Sequence, residues 1–152
     1  MRIYIVRHGQ AGAAASDSVR TLSAEGRAEV AKLGVFIARA GIRVDAVWHS
    51  PKIRARETAQ LLVETGKLGG ALEERAGLLP EDDPADVASE LEVTNEDVCV
   101  VGHMPHVSYL VSLLVAGSAG PLIRFETAAM VCLEREALGA WRIVWHVSPT
   151  IL

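Results

Sequence analysis

The 152-residue chain predicts an α/β sandwich: one mostly parallel sheet flanked by helices. Three observations predict it. Short β-branched runs, Ile3-Tyr4-Ile5-Val6 and Val98-Cys99-Val100-Val101, read as buried strands. Segments with helical spacing of apolar residues follow strand-like runs. The order of elements is β-α-β-α, a loop-rich stretch, then β-α-β-β. Neither an internal repeat nor a linker interrupts it, so residues 1–152 read as a single domain.

The first strand ends abruptly in Arg7-His8-Gly9. Charge and imidazole at the end of a buried strand stand where open α/β sheets keep their ligands. Gly9 is expected to let the backbone approach a ligand closely. Residues Gln10 to Arg20 are small and polar without periodicity, which predicts a loop. Ser23 is placed to cap a helix, with Glu25 in the first turn. Val30, Leu33, Phe36, Ile37 and Ala40 keep helical spacing up to Gly41, which ends the helix.

Asp45 to His49 reads as a second strand. Pro51 is expected in the first turn of a helix from about Lys52 to Thr65, stopped by Gly66. Arg54 and Arg56 fall in that first turn, where positive charge opposes the helix dipole. Arg56 is taken as a surface residue; Arg54 has no helical reason to be there. Leu72 to Arg75 suits a short edge strand. Asp83 is expected to cap a short helix from Pro84 to about Leu91. After the strand at Val98 to Val101 come Gly102-His103, then a largely apolar helix from Pro105 to about Val115. Thr127 to Glu134 and Trp141 to Val147 read as a hairpin or two sheet-edge strands.

Composition narrows the function. Hydrophobic residues make up 50% and charged residues 22%, and the net charge of −4 argues against nucleic acid or an anionic membrane as a partner. No signal peptide or membrane-length segment is visible, so the cytoplasm is the expected compartment. Cys99 and Cys132 lie in strand-like runs and read as buried thiols.

If the strand ends share one sheet edge, Arg7, His8, Arg54 and His103 converge with the amino ends of two helices. Guanidinium forks and oriented amides suit a tetrahedral dianion, and a neutral imidazole can attack phosphorus. The competing use of histidine is a metal. His103 and His106 are three apart, but no cysteine or carboxylate stands beside them, and neither a metal nor another cofactor is expected. His49 and His146 are read as structural strand residues.

These motifs, in this order, resemble the histidine phosphatase superfamily with its phosphoglycerate mutase-like fold: Arg7-His8-Gly9, Ser50-Pro51-Lys52-Ile53-Arg54-Ala55 and Gly102-His103. Ser16-Asp17-Ser18-Val19-Arg20, Leu22, Gly26 and the terminal Ser148-Pro149 are similar to the SixA-type phosphohistidine phosphatases within it. The resemblance implies a three-layer fold and a metal-independent phosphatase. It implies His8 as phosphoryl acceptor, Arg7 and Arg54 as clamps, His103 completing the pocket, and Arg20 near the substrate. The implied substrate is a phosphohistidine on a histidine phosphotransfer protein of a signalling relay. The alternatives are a small phosphate ester or a non-catalytic phosphoprotein-binding module. Two departures stand out. Met104 replaces the polar residue common after the second histidine. The acid that protonates an ester leaving group in related enzymes has no clear counterpart among Glu73, Glu74, Glu81, Asp82 and Asp83. Without it, P–N cleavage is favoured over P–O, because an imidazole leaves readily once protonated by water.

Overall fold

The computed structural model describes all residues, Met1–Leu152. Strand β1 (Arg2–Arg7) is buried from Ile3 to Val6 and lies inside the sheet. Helix α1 (Ala24–Ala40) follows, then β2 (Ala46–His49), α2 (Ile53–Gly66), β3 (Ala71–Glu74), α3 (Pro84–Val93), β4 (Val98–Gly102), α4 (His106–Ala116), β5 (Met130–Arg135) and β6 (Trp141–Val147). The six strands form one sheet in the order β3-β2-β4-β1-β5-β6. Strands β3, β2, β4 and β1 run parallel; β5 and β6 continue antiparallel, as a hairpin beside β1.

Alternation along β1 explains the three layers. Ile3 and Ile5 face one core with Val87 and Leu91 of α3 and Leu110 and Val111 of α4. Tyr4 and Val6 face the other, with Val30, Leu33 and Ile37 of α1 and Ala59 and Leu62 of α2. Side chains of a strand point alternately to its two faces, so one central strand seeds both cores. Cys99 and Cys132 are free and buried.

Helix α1 is closed as expected. Ser23 accepts the Gly26 amide, and Gly41 is left-handed with φ 67°. Asp83 caps α3, which continues two residues beyond Leu91. Four local expectations need correction. Pro51 lies before α2, because Lys52 is extended and is the N-cap. Gly66 belongs to α2 and does not stop it; left-handed Lys67 does. Gly66 serves packing instead, since a Cβ there would stand 3.0 Å from Ile37 Cγ2. Pro105 is the N-cap of α4, whose first helical residue is His106, and Gly117 (φ 77°) ends it. Thr127 to Ala129 are not strand. Ala128 is left-handed (φ 57°), and its amide donates to both the Arg7 and His8 carbonyls at 3.1 Å, so this turn folds across the end of β1.

No helix is long and apolar enough to cross a membrane.

Candidate active site

The parallel register brings three strand ends to one edge. Arg7 stands opposite Gly102, and Val101 opposite His49. Two hydrogen bonds carry the pairing one residue further, His8 N to Gly102 O at 3.0 Å and Ser50 N to Val101 O at 3.1 Å. The residues immediately after β1, β4 and β2 are therefore neighbours: His8, His103 and Ser50. The His8 and His103 rings lie 5.0 Å apart between centroids. A cavity of about 460 Å³ opens above them, and its lining includes Arg7, His8, Arg20, Arg54 and His103. All five residues singled out in the sequence meet there.

The protonation of His8 follows from its partner. Nδ1 lies 2.6 Å from the Gly9 carbonyl oxygen, which can only accept, so Nδ1 carries the proton. Nε2 is left with the lone pair, and the Nε–H of Arg54 donates to it at 3.3 Å. Burial pushes the His8 pKa down to about 4, helped by Arg54, Arg7 and Arg20 and opposed by the bond to Gly9. The imidazole is neutral near pH 7. His103 is pushed lower, to about 3, by burial first and by the charges around it.

The arginines are held from outside the cavity. Arg7 donates from Nη1 to the Phe125 carbonyl at 2.9 Å, while its Nε is buried with no protein partner. Arg54 is buried; its Nη1 donates to the Asp17 carbonyl at 2.8 Å and its Nη2 to the Asp17 carboxylate at 3.2 Å. Arg20 is anchored by Nε to the Gly12 carbonyl at 2.9 Å and reaches Asp17 through Nη1 at 3.3 Å.

Gly9 does not serve ligand approach. A Cβ there would stand 2.7 Å from Val30 Cγ2 and 2.9 Å from the Gly26 carbonyl, and one on Gly26 would stand 2.0 Å from the Gln10 carbonyl. The two glycines let the chain after His8 lie directly on the first turn of α1.

Sequence reasoning missed several supporting groups. Thr58 is buried, accepts the Gly9 amide at 3.0 Å and donates to the Arg54 carbonyl at 2.7 Å, tying the His8 turn to α2. Its position one helical turn after Arg54, on the buried face, was the available signal. Ser50, fully buried, joins His103 Nε2 at 2.7 Å and accepts the Lys52 amide at 3.3 Å. Met104, Pro80 and Thr127 also line the cavity.

No aspartate or glutamate lines the cavity. Glu73 pairs with Arg75. Asp82 accepts the Leu79 amide, Asp83 caps α3, and Glu74 and Glu81 are exposed. His106 is buried outside the cavity lining, and no group of three His, Cys, Asp or Glu side chains is arranged to hold a metal ion. His49 is buried, with its ring on the Ser50 carbonyl at 3.0 Å; His146 is an exposed strand residue against Phe125.

Comparison with known proteins agrees with this geometry. The chain is 32% identical to phosphohistidine phosphatase SixA of Escherichia coli, over 98% of this chain and 94% of that protein. A solved structure of the protein histidine phosphatase SixA complexed with tungstate superposes with a TM-score of 0.90 at 31% identity, covering 99% of both chains. A phosphoserine phosphatase of Entamoeba histolytica shares the fold with a TM-score of 0.74 at 13% identity, over 99% of this chain and 98% of that one. The family model of the histidine phosphatase superfamily (branch 1) matches residues 3–78, the half that carries Arg7, His8 and Arg54. The chain belongs to the histidine phosphatase superfamily.

Proposed function

We propose that the chain is a phosphohistidine phosphatase that works through a phospho-His8 intermediate. The observation that carries this reading is the pairing of a neutral, tautomer-fixed His8 with a cationic cavity that no carboxyl group lines. Likeness to SixA over nearly the whole chain supports it.

In the first step the Nε2 lone pair attacks phosphorus in line. The P–N bond of the substrate phosphohistidine breaks, and the leaving imidazole takes a proton from water. Positive charge developing on the His8 ring is shared through Nδ1–H with the Gly9 carbonyl. Arg7 and Arg54 neutralise the phosphoryl oxygens, work that phosphoryl transfer needs more than covalent machinery. Arg20 stands at the same cavity and extends the clamp. At His103, whose Nε2 lies 2.7 Å from the Ser50 hydroxyl, we assign the Nδ1–H tautomer, with the hydroxyl accepting from the Lys52 amide and turning its own hydrogen to Nε2. That leaves Nδ1–H, which has no protein partner, to donate to a phosphoryl oxygen. Water then attacks phospho-His8, and the new P–N bond breaks with its electron pair returning to Nε2. The proton released by the attacking water neutralises the hydroxide left by the first step, and orthophosphate departs from neutral His8.

An alkoxide leaving group requires an acid, and a protonated imidazole does not. The acid-free lining therefore favours P–N over P–O substrates. The proposal takes a phosphohistidine on a histidine phosphotransfer protein as substrate. It includes a cytoplasmic location, where thiols such as Cys99 and Cys132 stay reduced. The test compares turnover on a phosphorylated histidine phosphotransfer domain and on a small phosphate ester. Comparable rates would remove the case for phosphohistidine. A His8→Ala variant should bind phosphate yet lose turnover; retained turnover refutes the nucleophile.

A further inference from the structure

Beside the cavity lies a carboxylate, Asp17, that the reaction above does not use. Asp17 sits in a single 3-10 turn, Asp17–Val19, and its side chain is 51% exposed. Such a carboxylate ordinarily contributes little. Here it meets three cations at once. It pairs with Lys52 Nζ, accepts from Arg54 Nη2 at 3.2 Å, and accepts from Arg20 Nη1 at 3.3 Å. Its main-chain carbonyl accepts from Arg54 Nη1 at 2.8 Å.

The geometry at Arg54 separates two tasks. A guanidinium offers its N–H donors in one rigid plane. Asp17 takes one hydrogen from each terminal nitrogen and so fixes one edge of that plane. Nε remains directed at His8 Nε2, 3.3 Å away. The plane cannot swing without breaking both bonds to Asp17. The cationic partners, Lys52 first, hold the Asp17 carboxyl well below the usual carboxylate range, so it stays ionised and donates no proton.

We propose that Asp17 is a positioning residue: it grips the outer edge of Arg54 so that the Nε side faces the phosphoryl group on its way to His8. This rests on the phosphoryl-pocket reading given above. The opposite arrangement, in which Asp17 competes with the phosphoryl group for Arg54, predicts the opposite sign of effect.

Binding of inorganic phosphate, measured by calorimetry, tests the assignment without phosphohistidine turnover. Asp17→Ala should weaken binding about tenfold, and Asp17→Glu should recover part of the loss. In an Arg54→Ala background the same Asp17→Ala change should alter binding less than about twofold, because the two residues act as one unit. A loss caused by general loosening would persist in that background. Unchanged or tighter binding in Asp17→Ala overturns the proposal, as does an undiminished loss in the Arg54→Ala background. Failure of the parent protein to bind phosphate overturns the phosphoryl-pocket reading itself, and the role of Asp17 with it.

Discussion

Replacing Ser50 by alanine isolates what the second imidazole needs. Ser50 is fully buried, and its hydroxyl lies 2.7 Å from His103 Nε2. Its removal leaves Nε2 in a dry site with no donor, and the Lys52 amide loses its acceptor. An orphaned buried polar group costs about 1–3 kcal/mol, which in a chain of this size lowers Tm by roughly 2–12 °C. The chemical effect is separate. With no donor on Nε2, the proton can move there, and Nδ1 then turns a lone pair toward the phosphoryl oxygen. Losing one preorganised donor should lower kcat on a phosphohistidine substrate by about tenfold to a hundredfold. The assay pairs steady-state kinetics with thermal melting, and nitrogen NMR of the ring reads the tautomer directly. A Ser50→Ala protein with parental kcat and an unshifted ring spectrum would refute the tautomer argument, whatever happens to Tm.

Three further outcomes follow from the same geometry. His8 and His103, with pKa values pushed down to about 4 and about 3, should show no imidazole titration by NMR between pH 8 and 5.5. The unfolded chain takes up these protons at higher pH than the native state, so their contribution to stability is present above the ordinary histidine pKa. It is lost as pH falls through about 6.5 toward 4 for His8 and toward 3 for His103, and denaturant midpoints should fall across that window. Gly26→Ala forces a Cβ to 2.0 Å from the Gln10 carbonyl oxygen, a backbone atom that cannot rotate away, and should destabilise by about 1–3 kcal/mol or more while lowering phosphate affinity, read by melting and calorimetry. Glu81→Gln, at an exposed residue outside the cavity lining, should leave kcat/KM within about twofold; a larger loss would identify a leaving-group acid.

The strands and long helices were legible because their signals are local and repeated. The β-branched runs of β1 and β4, the Ser23 cap and left-handed Gly41 each follow from backbone chemistry within a few residues. Arg54 was legible for a different reason, as a charge at a helix start where the dipole gives it no cause to be. What the chain hid depends on residues far apart in sequence. Gly9 looked like a ligand contact and is a packing contact, a fact set by Val30 and Gly26. Gly66 looked like a stop and is a notch for Ile37. The grip of Asp17 on Arg54 spans 37 positions and that of Ser50 on His103 spans 53, and no periodicity encodes either. The absence of a cavity acid could be suspected from sequence, but only the positions of Asp82, Asp83 and Glu81 assign those groups to other work or to solvent.

The hydrogen-bonded position of β1 also bears on how the molecule opens. β1 has a strand on each side, with two further strands beyond β4 and one beyond β5, so the turn carrying His8 grows from the middle of the sheet, away from both fraying edges. Amides there should exchange with solvent only through global unfolding, whereas the 10–20 loop, held by one isolated bridge (Ala11 to Leu22), the bonds of Arg20 and the grip of Asp17 on Lys52 and Arg54, should open at lower free energy. Bond-making is thereby assigned to a central element of the fold and access to a peripheral one. Changes in the loop can retune which phosphorylated partner enters while the attacking nitrogen keeps its place.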